Sequence, residues 1–97
     1  RDAAGEEFVI EKEVTIRNRA GLHTRPAATI VKKASQYRCE LVINKDGMRI
    51  NGKSIIGVMT LAAEQGSTLI LEFTGPEEEA ACEDIVAYFE RGFDEEL

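Results

Sequence analysis

The sequence predicts a two-layer α+β domain, with helices packed on one side of a mostly antiparallel sheet. Three observations predict it. Apolar residues alternate with period two over 8–16, 39–43 and 68–74, the pattern of half-buried strands. They recur at i, i+3, i+4, i+7 over 27–34 and 82–89, and crowd into a short apolar stretch over 55–62, the patterns of helices. The two periods interleave in the order β-α-β-β-α-β-α within 97 residues. A chain of this length forms one domain around one modest core. The expected division is a flexible extension at 1–7, the domain at 8–92 and an acidic tail at 93–97.

The first strand has Phe8, Ile10, Val14 and Ile16 on one parity, interrupted only by Lys12. Asn18 to Gly21 connect it to a helix carrying Ala27, Ile30, Val31 and Ala34 on its inner face. Pro26 fits only the first helical turn, where its missing N–H has no partner to lose. The helix therefore begins near residues 23–26, with His23 at or beside the N-cap. Cys39, Leu41 and Ile43 start the next strand. Asn44-Lys45-Asp46-Gly47 is a hairpin turn, with glycine supplying positive φ. Met48 and Ile50 form its second arm. Ser54 reads as the N-cap of the short second helix, for which Gly66 is the expected stop. This helix has more apolar residues than one face needs, so some of Ile55, Ile56 and Met59 should be exposed as a contact surface. Leu69, Leu71 and Phe73 mark the last strand. Gly75-Pro76 opens the last helix, Glu77, Glu78 and Glu79 complement its dipole, and Gly92 ends it.

Composition excludes several function classes. The net charge of −6 disfavours nucleic acid and anionic membrane as partners. The charge is uneven: 77–97 hold nine acidic residues, whereas 17–38 hold Arg17, Arg19, Arg25, Lys32, Lys33 and Arg38 and no acid. A basic segment in an acidic protein points to an acidic partner or a phosphate. Cys39 and Cys82 lack ligand spacing and read as small core residues of a reducing compartment, which with the absence of a membrane span or signal pattern suggests the cytoplasm. One histidine and no His/Cys cluster argue against a metal site, and no GxxxxGK[ST] loop supports nucleotide binding. No cofactor is expected.

The stretch Gly21-Leu22-His23-Thr24-Arg25-Pro26-Ala27 is where chemistry concentrates. A helix N-terminus offers unpaired N–H groups and the positive end of the dipole to an anion. Histidine can act as a nucleophile and carry a covalent intermediate. A phosphoryl group on His23 would be stabilised by Arg25 and by the first-turn N–H groups. The bland alternative is a surface histidine serving as an ordinary helix cap. A small enzyme using His23 as general base is weaker, because no nucleophile accompanies it.

That stretch resembles the phosphorylation-site signature of the HPr family, the histidine-containing phosphocarriers of the bacterial sugar phosphotransferase system. Lys53-Ser54-Ile55-Ile56-Gly57-Val58-Met59-Thr60-Leu61 is similar to the segment around the family's regulatory serine. The resemblance covers about 8–92. It implies an open-faced β-sandwich, a four-stranded antiparallel sheet with three helices on one face. It further implies that His23 accepts a phosphoryl group on Nδ1 from phosphorylated enzyme I and passes it to sugar-specific IIA proteins, with Arg25 holding the group. Ser54 would be phosphorylated by HPr kinase/phosphorylase. Leu22, Thr24, Ile55, Ile56 and Met59 would belong to the partner surface, with Lys32 on its basic rim. Ser54 is expected at a helix mouth neighbouring that of His23, and a phosphate there would add about −1.5 to −2 charge beside the apolar patch. The protein would act as a monomeric carrier, not an independent enzyme. The alternative is a regulatory module acting through phospho-Ser54 on a transcription regulator, in catabolite or nitrogen control.

Overall fold

A computed structural model describes residues 9–97. The expected extension at 1–7, and Phe8 of the first strand, lie outside the described residues. Strand β1 (Ile10–Thr15) leads to helix α1 (Thr24–Ser35), the hairpin β2 (Glu40–Lys45) and β3 (Met48–Asn51), the short helix α2 (Ile55–Thr60), strand β4 (Thr68–Thr74) and helix α3 (Glu78–Glu90). A 3-10 turn follows at Gly92–Asp94. The strands form one antiparallel sheet in the order β1-β4-β2-β3.

Alternation along the strands separates the two sides of the sheet. Val14, Leu41, Ile43, Leu69, Leu71 and Phe73 are buried, and meet Ala27, Ile30 and Ala34 of α1, Val58 of α2, and Ile85 and Phe89 of α3 in one core. Glu11, Glu13, Glu40 and Arg49 lie on the opposite, uncovered side. There Arg49 of β3 reaches across β2 to make two 2.9 Å bonds to the Glu72 carboxylate of β4. The β2–β3 turn carries positive φ at both Asp46 (52°) and Gly47 (88°), the backbone twist a tight hairpin prefers. Cys39 and Cys82 are free and buried, and burial pushes both thiols up.

Two expected boundaries need correction. Helix α2 closes at Thr60, not towards Gly66. Ala62 takes a left-handed turn at φ 48°, and this carries Ala63 into the core, where its carbonyl accepts the Leu22 N–H at 2.9 Å. Gly66 serves a later turn, in which Ser67 N–H bonds Glu64 O at 2.9 Å. Residues 93–97 are also more than an acidic tail. Gly92 does end α3, at φ 66°, but Phe93 behind it is only 3% exposed, with ring centroids 5.1 Å from Tyr88 and 4.9 Å from Phe89. Burying an aromatic ring anchors the chain end on the domain.

Candidate functional site

The site is assembled from the β1–α1 loop, the first turn of α1 and the chain end. Asn18 is fully buried, and its Nδ2 donates to Gly21 O at 2.8 Å. Gly21 sits at φ 74° with its backbone pressed on the α2–β4 connection: a Cβ there would lie 2.8 Å from Ala63 O. His23 follows as the N-cap of α1, in extended conformation, and its carbonyl accepts the Ala27 N–H at 3.0 Å. The Thr24 and Arg25 N–H groups therefore have no acceptor within the helix, and Pro26 has no N–H to leave unpaired. With no acid in its first turn and an exposed Arg25, the mouth of α1 is built for negative charge.

The His23 ring does not cap the helix. Its side chain is 40% exposed, and Nε2 lies 2.8 Å from both Oε1 and Oε2 of Glu95. Asn18 Nδ2 donates to the same Oε1 at 2.9 Å. The bond to His23 holds the Glu95 carboxyl below its usual range, helped by Asn18 and the charges of His23 and Arg25 against desolvation. Arg19 N–H bonds Glu96 O at 2.8 Å, and its guanidinium pairs with the Glu96 carboxylate at 3.1 Å. The acid-free segment of the sequence thus acquires two glutamates from the far end of the chain. Asn18 and Glu95 were missed by motif reading because neither lies in a recognisable pattern. The one signal was Phe93, an aromatic in an acidic run just after a helix-stopping glycine, which marks a chain that folds back.

The second motif is placed differently from expectation. Ser54 is the N-cap of α2, and its half-buried Oγ accepts the Gly57 N–H at 3.1 Å. The start of α2 is tied to the segment after α1 by Lys53 Nζ, which donates to Tyr37 O at 3.2 Å. The end of α2 meets the start of α1, where Thr24 Oγ1 contacts Met59 Sδ at 3.7 Å. The two helix mouths are therefore not neighbours. Ser54 is one α2 length, about 9 Å along the helix, beyond the end that meets His23's loop. Between them lies an apolar surface: Ile55, Ile56 and Met59 are 39%, 75% and 40% exposed. Thr24 is exposed beside it, and Lys32 is on the solvent side of α1. Leu22 corrects the expected partner surface: it is 5% exposed and belongs to the core, because the bond of its N–H to Ala63 O turns its side chain inward.

Among the described residues no group of three or more His, Cys, Asp or Glu side chains could hold a metal ion, and no helix is long and apolar enough to cross a membrane. A site with one nucleophilic nitrogen, one guanidinium and free helix N–H groups suits a small anion held covalently. The family described as PTS HPr component phosphorylation site matches residues 10–91. The phosphocarrier protein HPr of Treponema pallidum (strain Nichols) is 46% identical, over 91% of this chain and 100% of that protein. The HPr-like protein Crh of Halalkalibacterium halodurans is 41% identical, over 86% of this chain and 99% of its own. Among solved structures, HPr-C-His from Thermoanaerobacter tengcongensis superposes with a TM-score of 0.86 at 40% identity, covering 91% of this chain and 99% of that one. The chain belongs to the HPr family of the phosphotransferase system.

Proposed function

We propose that this protein accepts a phosphoryl group on His23 Nδ1 from phosphorylated enzyme I and delivers it to sugar-specific IIA proteins. The observation that carries this reading is His23 at the N-cap of α1, with Arg25 in the first turn and two N–H groups that have no acceptor within the helix. Arg25 holds the transferred dianion, and the apolar surface of Ile55, Ile56 and Met59 docks the partners, with Thr24 beside it and Lys32 on the rim. The carrier works as a monomer, presenting one face to successive partners. Incubation with phosphoenolpyruvate and enzyme I should produce an acid-labile, base-stable phosphate. His23→Ala should lose that label with the fold intact, and Arg25→Ala should transfer about 10–100 times more slowly. A label that survives His23→Ala would overturn the assignment.

A second reading is favoured by Ser54, an N-cap hydroxyl directly beside the exposed Ile55 and Ile56. Phosphorylation there by HPr kinase/phosphorylase would recast the docking surface for a transcription regulator. If enzyme I leaves no acid-labile phosphate while ATP-dependent labelling of Ser54 proceeds, regulation is the protein's main task.

A further inference from the structure

We propose that the free edge of β1, with the flank of α3 beside it, is a second docking site, which takes an extended segment of a partner protein with alternating apolar and basic residues. β1 is an edge strand, and among the described residues its backbone is hydrogen-bonded on the β4 side only. Ile16, next after β1, donates its N–H to Ser67 O at 2.9 Å and accepts the Gly66 N–H at 2.8 Å, so its polar groups point towards the start of β4. Direction alternates along a strand, so the N–H and C=O groups of Thr15, Glu13 and Glu11 face outward. Such a row of unpaired groups is a template for one more strand.

The side chains on the two sides of that edge define the occupant. Towards the helices lies a groove floored by Ile10 of β1 and by Cys82, Val86 and Ala87 of α3. Ile10 and Val86 are half-buried, packed against the core yet open to the groove. Glu79, Glu83 and Glu90 rim it from the same flank of α3, and Lys12 is the one basic residue in its lining. On the uncovered side of the sheet the edge carries the exposed Glu11 and Glu13. An added strand alternates its side chains as β1 does. The set that enters the groove is therefore apolar, and the set beside Glu11 and Glu13 is basic. A second copy of this chain fits poorly, because pairing two β1 edges would set these glutamates against their own kind. The site lies at the opposite edge of the sheet from β3, against which α2 packs. A partner held there leaves the surface of Ile55, Ile56 and Met59 free, and the inference does not rest on the carrier role of His23.

The probe is a capped peptide in which lysine alternates with valine, titrated into the full chain. Its comparators are the same residues arranged in two blocks, and the alternating peptide with the backbone N-methylated at every lysine or at every valine. Binding is followed by the backbone ¹⁵N signals and by amide hydrogen exchange. The alternating peptide should shift the signals of Glu11, Glu13 and Thr15 and slow the exchange of their N–H groups. The block peptide should bind about tenfold more weakly or worse, because it keeps the charge and loses the alternation. N-methylation of one set should abolish binding and that of the other should spare it, since only alternate N–H groups of an added strand face β1. Val86→Lys in the groove floor and Glu83→Lys on the exposed rim should each weaken binding about tenfold, with the thermal midpoint as a fold control. Equal binding of the block peptide, indifference to both N-methylations, unchanged affinity in Glu83→Lys, or shifts centred on Ile55, Ile56 and Met59 in place of β1 would each overturn the proposal. So would a dimer of the free protein with the β1 amides already protected, because the occupant of the edge would then be a second copy.

Discussion

A methyl group at position 21 has no room. Gly21 lies at φ 74°, and its absent Cβ would stand 2.8 Å from Ala63 O and 3.2 Å from Glu64 Cα, both backbone atoms that cannot rotate away. Gly21→Ala should therefore cost about 1–3 kcal/mol, read as a lower midpoint in equilibrium urea unfolding. An unchanged midpoint would mean that the loop can lift from Ala63 without loss. The same substitution should disturb His23, since the Gly21 carbonyl is one of the two acceptors of Asn18 Nδ2. At this scale the sequence was legible wherever function is local. His23 at a helix start, Arg25 two residues on and Ser54 as an N-cap all follow from positions relative to Pro26 and to the apolar periods. Glu95 was not legible, because it reaches His23 across 72 positions and Asn18 across 77. No period or short motif encodes a contact of that separation; burial of Phe93 and the bonds of Arg19 to Glu96 bring it about.

Helices α1 and α3 are joined by a polar clamp that no periodicity announces. Lys33 Nζ reaches Asp84 Oδ1 at 2.9 Å, and Tyr37 OH donates to Asp84 Oδ2 at 2.7 Å. The Tyr37 bond, with the Lys33 bond and charge, holds the Asp84 carboxyl below its usual range against partial desolvation. A folded-state pKa lower than the unfolded one gives stability that is present above the unfolded value and lost as pH falls through the folded one. Acidification from the ordinary carboxylate range near pH 4 downward should therefore loosen α3 from α1. Asp84→Asn should lower stability near neutrality by about 1 kcal/mol and flatten this acid limb. Thermal midpoints of both proteins across pH 2–7 check it, and parallel curves would assign the acid sensitivity to other carboxylates. Element types and order were readable because most rest on their own apolar period, and β3 and α2 on the turn and cap signals before them. The end of α2 was not, because it is set by a tertiary bond. Ala62 takes the left-handed turn there at φ 48°, without glycine's freedom, and the chain then delivers Ala63 O to Leu22.

At the scale of the whole molecule, the fold spreads the two motif sites along one face instead of clustering them. Ser54 is at the far end of α2, and His23 lies beyond its near end, with Ile55, Ile56 and Met59 between. A charge added at Ser54 is separated from the His23 loop by about 9 Å of helix, close to the Debye length of about 8 Å at physiological salt. It should therefore act little on the chemistry at His23 and strongly on whatever docks against Ile56. For transfer from enzyme I, Ser54→Asp should raise KM about tenfold at low salt with kcat nearly unchanged. Raising the salt to about 0.5 M should shrink that rise severalfold, because screening weakens repulsion between the new charge and an acidic partner. The ¹⁵N signals of the His23 ring in the free protein should not move. A fall in kcat at constant KM, or a shifted ring, would show instead that the substitution reaches His23 through α2 and its contact with Thr24, and the separation of docking from chemistry along this face would fail.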